Sequence, residues 1–109
     1  MSKKEFKEKQ FDLEEFKNSI FLSLEEAKAL KISIIDFDGK SSLSDIIIIC
    51  EGRSQSHCKG ISNKVLEILK KEGFLNVGIE GENEGNWILL DYGDVILHIF
   101  HPEIRKYYD

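Results

Sequence analysis

Apolar positions along the chain change their period several times, and each change marks an element. Leu13, Phe16, Ile20, Leu24 and Ala27 recur at spacings of three and four, one face of a helix running to about Leu30. The stretch before it supplies a start. Asp12 can cap the free amides, Glu15 lies three residues on, and Phe11 with Phe16 can form a hydrophobic staple. Over residues 32–37 β-branched content rises, and Asp38-Gly39 supplies a turn, so a strand is predicted there. Residues 45–50 predict a second strand. Its run Ile46, Ile47, Ile48, Ile49 is apolar on both faces, which predicts a central strand covered on two sides.

A turn of small polar residues, 51–57, leads into a helix whose buried stripe is Cys58, Ile61, Val65, Ile68 and Leu69, with Gly73 placed to close its C-terminus. Residues 74–79 read as a short strand and 80–86 as a glycine-punctuated acidic loop. Strands over 87–91 and 95–100 are joined through Tyr92-Gly93, a tight hairpin in which Gly93 can take a positive φ. Pro102 suits the first turn of a terminal helix over 101–108. The predicted order is helix, strand, strand, helix, strand, strand, strand, helix. A single α/β domain over residues 11–109, with one mixed β-sheet flanked by helices, buries those apolar faces economically. Residues 1–10 mix Lys and Glu and read as a flexible N-terminal extension.

Composition narrows the class. A chain of 109 residues, 41% hydrophobic and 32% charged, is that of one globular domain. MSKKEFKEKQ is polar throughout and no stretch approaches the roughly 20 apolar residues of a membrane span, so no membrane role and a cytosolic location are expected. The net charge of −5 argues against bulk binding to a nucleic-acid backbone. Its distribution says more: residues 51–71 hold five basic and two acidic side chains, whereas residues 80–94 hold five acidic and none basic. A one-signed strip serves either as solvated surface or as a dock for a basic protein.

No catalytic set assembles from the candidate residues. The turn 52–57 follows a strand and opens a helix, where many α/β proteins bind anions, yet it lacks both GxxxxGK[ST] and GxGxxG. Ser54 or Ser56 as a helix cap is the simpler reading; an anion or nucleotide site with Arg53 and Lys59 is the alternative. His57 and Cys58 are neighbours on a helix and point about 100° apart, so Cys58 reads as a buried thiol on the apolar stripe. Cys50 and Cys58 are too few for a zinc set and are expected reduced. Asp91 and Asp94 flank the hairpin, where Asp commonly binds the turn backbone, and no strand carries a D-x-D alternation for a divalent ion. His98 is out of phase with Val95, Leu97 and Ile99 and reads as structural or interfacial; His101 precedes Pro102 and is placed to cap the last helix. Neither enzyme activity, cofactor nor metal is expected. The strongest functional hint is an apolar excess on the last strands, Trp87 through Leu90 and Ile96 through Phe100, beside the acidic loop.

The same segments carry a detailed resemblance. Ser44 to His57 resembles the D-[YF]-x-V-I-x-x-G-x-S-x-x-H segment of the ribosomal silencing factor family, RsfS or Iojap. Glu80-Gly81 and then Trp87 to Phe100 resemble its EG…W-x-L-x-D-x-G-D-V-x-V-H-x-F block, and the likeness spans about residues 24 to 108. Ile46 stands where the family commonly has Tyr or Phe, and the chain stops at Asp109 where the family usually continues. The resemblance implies a nucleotidyltransferase-like topology without the catalytic motif. It also implies binding to the large ribosomal subunit through ribosomal protein uL14, obstruction of subunit joining and a homodimer when free. No direct sequence-specific nucleic-acid binding is expected. Where resemblance and residue chemistry coincide, the expected partner-binding residues are Glu80, Trp87, Asp91, Tyr92, Asp94 and Phe100.

Overall fold

Residues 13–37 and 46–107 are described by the structure, a computed structural model. The expected N-terminal extension, the Phe11–Asp12 helix start, the Asp38-Gly39 turn and the last two residues lie outside them.

Helix α1 (Leu13–Glu26) presents Phe16, Ile20 and Leu24 inward, as its spacing predicts. It stops a turn earlier than its periodicity suggests. Lys28 takes φ 59°, its amide donates to Glu25 O at 3.0 Å, and Ala29 N donates to Leu24 O at 2.9 Å. That left-handed closure occupies the last carbonyls of α1 and turns the chain sharply. Leu30 therefore opens strand β1 (Leu30–Asp36) instead of ending the helix.

Strand β2 (Ile46–Glu51) leads through a short turn to helix α2 (Gln55–Lys71). Ser54 caps α2, its Oγ accepting from His57 N at 3.0 Å. Cys58, Ile61, Val65 and Leu69 are buried; Ile68 lies at the edge of the stripe. The far end closes at Gly73, φ 97°, with Gly73 N to Lys70 O at 3.0 Å and Phe74 N to Leu69 O at 2.9 Å. This closure turns Phe74 back onto Phe16, ring centroids 4.5 Å apart. The strand predicted over 74–79 is consequently reduced to β3 (Gly78–Glu80). Strands β4 (Trp87–Asp91) and β5 (Val95–Phe100) and a short helix α3 (Pro102–Arg105) follow; α3 is shorter than the helix predicted over 101–108.

The five strands form one mixed sheet in the order β1-β2-β5-β4-β3. β2 and β5 run parallel at its centre, and the outer pairings are antiparallel. Ile46, Ile48, Cys50, Ile88, Leu90, Val95, Leu97 and Ile99 point to one face and join the inward residues of α1 and α2 in a single core. Helices thus cover that face. The isoleucine run of β2 was expected to be covered on both sides. Among the described residues only its Ile46 and Ile48 are fully buried; Ile47 and Ile49 point to a face without a long helix and are half-buried.

Candidate docking face

The register defines row by row the face that α1 and α2 leave open, helix-free among the described residues apart from the short α3 at one end, because directly paired residues share a side. One row runs Ile35, Ile47, Ile96, Asp91, Gly78; the next runs Ser33, Ile49, His98, Leu89, Glu80. A third joins Glu51, Phe100 and Trp87. The apolar members Ile47, Ile49, Leu89 and Ile96 are half-buried, and Ile35 is 43% exposed. Carboxylates lie toward the β3–β4 edge, at Asp91 and Glu80. The face therefore has a greasy middle and an acidic border.

Its aromatic end is built tightly. Trp87 Nε1–H donates to His98 Nδ1 at 3.0 Å, and the Trp87 and Phe100 rings lie 5.1 Å apart. His98 and Phe100 stack at 5.8 Å with planes 6° apart. That bond needs a lone pair on Nδ1, so the ring proton sits on Nε2. Burial of the ring holds the His98 pKa below its ordinary value.

Helix α3 folds over the same end and shields Phe100. His101 caps it, Nδ1 accepting from Glu103 N at 3.2 Å. Arg105 Nη1 donates to Lys31 O at 2.7 Å and lies 3.6 Å from the Glu51 carboxylate, tying α3 across to β1 and β2. Glu51 is only 7% exposed. Removing either partner would strand the other charge in a poorly hydrated place.

The six expected partner-binding residues do not form one cluster. Trp87 and Phe100 meet at the aromatic end. Asp91 lies four residues along β4, roughly 13 Å away, where its Oδ1 accepts from Gly93 N at 2.8 Å. Asp94 is exposed in the same turn, and its carbonyl accepts from Ile46 N at 3.0 Å. Glu80 is exposed on β3 at the sheet edge. Tyr92 turns to the covered side, against Phe16 with centroids 5.2 Å apart. Burial pushes its pKa up to about 12, and its hydroxyl has no hydrogen-bond partner among the described residues. Tyr92 thus packs in the core, on the opposite side from Trp87.

The turn before α2 is occupied by its own side chains. Arg53 N donates to His57 Nδ1 at 2.8 Å, and His57 Nε2 donates to Ala27 O at 2.9 Å, strapping the turn to the exit of α1. Gly52 is buried against Cys58, where a Cβ would crowd the backbone. These bonds use groups an anion would need. The sequence offers His57 as part of the 52–57 turn and as a neighbour of Cys58; nothing local announces a bond to a carbonyl thirty residues earlier. Cys50 and Cys58 are free and buried, and burial pushes the Cys50 thiol up to about 12. No group of three His, Cys, Asp or Glu placed to hold a metal occurs among the described residues. Nor is any helix among them long and apolar enough to cross a membrane.

The family model described as "Ribosomal silencing factor during starvation" matches residues 10–109. The chain is 36% identical over 99 residues to a ribosomal silencing factor of Zymomonas mobilis, covering 91% of this chain and 74% of that protein. It is 27% identical over 89 residues to a mouse protein named for mitochondrial assembly of the ribosomal large subunit, covering 79% of this chain and 39% of that protein. Among solved structures, a crystal structure of a Chromobacterium violaceum protein superposes with a TM-score of 0.85 at 33% identity, covering 91% of this chain and 82% of that one.

Proposed function

The chain belongs to the ribosomal silencing factor family, and from that premise we propose that it represses translation by docking on the large ribosomal subunit. The partner is ribosomal protein uL14, and the bound protein obstructs joining of the small subunit. It acts in the cytoplasm, without catalysis or cofactor. The observation that carries this reading is the helix-free face, an apolar centre bordered by carboxylates that no ion pair among the described residues engages. Charge steers a basic partner toward such a face, and burial of Ile47, Ile49, Leu89 and Ile96 supplies affinity. The free protein is expected to pair as a homodimer, which offers these residues a temporary cover.

Sedimentation tests it. Wild type should pellet with large subunits, not small ones, and should lower subunit association. An Asp91→Asn, Asp94→Asn double variant removes two border charges while asparagine keeps an oxygen for the Gly93 amide. It should bind several-fold more weakly at low salt, with the difference shrinking as salt screens the border, over about 10 Å at 0.1 M. Circular dichroism beside it checks folding. Wild type that stays in the supernatant would refute the function; equal binding by the folded variant would remove the acidic border from it.

A further inference from the structure

Between the acidic loop and the C-terminal turn lies a cleft of about 420 Å³ lined by Gly81, Glu84, Asn86, Trp87, Ile104 and Tyr107. We propose that this cleft receives an arginine side chain of the docked basic protein, held between Trp87 and Tyr107 and neutralised by Glu84. The proposal rests on the docking function above and names the chemistry of one contact within it.

The cleft is preformed. Gly81 and Gly85 both take positive φ, 79° and 81°, and Gly85 N donates to Gly81 O at 3.0 Å. A Cβ on Gly81 would collide with the Trp87 carbonyl, and one on Gly85 with Gln55 O. Asn86 Oδ1 accepts from Gln55 Nε2 at 2.7 Å, and Asn86 O accepts from His101 N at 2.8 Å. Loop, α2 and the start of α3 are thereby locked together before any partner arrives, so little ordering cost remains for binding.

Its charge is one-sided. No lysine or arginine occurs from residue 72 to residue 104. Two of the cations next to the cleft are engaged elsewhere: Arg105 with Glu51 and Lys31 O, Lys106 with Glu103 at 3.1 Å. Lys59 lays its stem against Gly85, and no ion pair among the described residues engages Glu84. An apolar occupant would desolvate Glu84 without compensation. A guanidinium is planar, stacks on aromatic faces and pairs with a carboxylate, which suits two rings and one acid better than the compact ammonium of lysine. Tyr107, 77% exposed, is a ring awaiting cover. The cleft adjoins the Trp87 end of the helix-free face, within reach of a partner lying across Ile96 and Leu89.

The chain has one tryptophan, so its indole N–H resonance reports on the cleft without ambiguity. Titrating the full chain with N-acetylarginine amide should shift that resonance saturably. The neutral isostere N-acetylcitrulline amide should shift it about tenfold less, because only the cation gains a charge-assisted bond to Glu84. Glu84→Gln should abolish the shift, and Glu72→Gln, the same charge change at the far end of α2, should preserve it. Large-subunit binding should weaken about tenfold in Glu84→Gln, the scale of one lost charge-assisted bond. No shift with the arginine compound, an equal shift with citrulline, or undiminished binding by Glu84→Gln each overturns the proposal. If the arginine compound binds but wild type ignores large subunits, the docking function falls while the cleft stands. Subunit binding without an arginine response is the reverse case.

Discussion

Ile96 and Leu97 are neighbours on β5, yet they serve opposite sides of one sheet. Leu97 is fully buried under α1 and α2, whereas Ile96 is only half-buried in a row with Ile47 and Ile35. The covered face has already gained its burial energy during folding. The helix-free face has gained only part of it, and what remains is available for association. A chain of this size has two helices long enough to cover a sheet face among its described residues, and both go to the same side. Folding and docking are thereby divided between alternate residues of the same strands.

Truncating each neighbour is the most severe way to break this contrast. Leu97→Ala should destabilise the protein by about 2–5 kcal/mol, the range for a buried leucine leaving a cavity. Ile96→Ala should cost about 1–2 kcal/mol, since part of its side chain still meets water. Binding to the large subunit should show the opposite order when measured on folded protein: weakened by Ile96→Ala, nearly unchanged by Leu97→Ala. Urea unfolding and sedimentation on the same preparations give both readings. Equal stability losses would mean the helix-free face is as much core as the other.

How much of this division was legible depended on which physical signal carried it. The hairpin was, because Trp87–Asp91 and Val95–Phe100 alternate around a Gly93 that takes φ 93°. The isoleucine run of β2 was not. Four identical residues contain no phase, so sequence could not show that Ile47 and Ile49 lack a helix over them. The side on which Tyr92 lies was hidden for a related reason: as a turn residue it obeys no strand alternation, and its contact with Phe16 joins segments far apart in sequence. The Trp87–His98 bond was similarly hidden, although the phase of His98 against Leu97 and Ile99 placed it on the correct side.

His98 offers a gentler test through pH. Its folded pKa is depressed by burial, so the unfolded chain binds the proton more readily than the folded one. As pH falls below about 6.5, the ordinary histidine value, the unfolded state takes up more protons and stability declines until the folded pKa is passed. Protonated Nδ1 also could not accept from Trp87. The charged groups sharing this face are Asp91 and Glu80 at its border and the Glu51–Arg105 pair in the next row. His98→Gln keeps an oxygen for the indole N–H and cannot titrate. Thermal melts of wild type should fall faster between neutral and mildly acid pH than those of His98→Gln. Parallel curves would show that this ring does not link the face to pH.

The smallest expected effect separates the two helices that build the covered layer. Both end in the same left-handed closure, but α2 places Gly73 at the positive-φ position and α1 places Lys28 there. The glycine made one end readable in sequence; the lysine concealed the other, which is why periodicity alone carried α1 on to Leu30. A left-handed conformation costs a residue with a Cβ roughly 1–2 kcal/mol, partly offset in glycine by its freer unfolded chain. Lys28→Gly should therefore stabilise the protein by about 0.5–1 kcal/mol. Lys28 is exposed and lies at the exit of α1, away from the helix-free rows, so large-subunit binding should not change. A denaturation midpoint that stays put or falls would show that the closure of α1 is less strained than its φ implies. A change in binding would show that the two faces are coupled through the strap from His57 to Ala27.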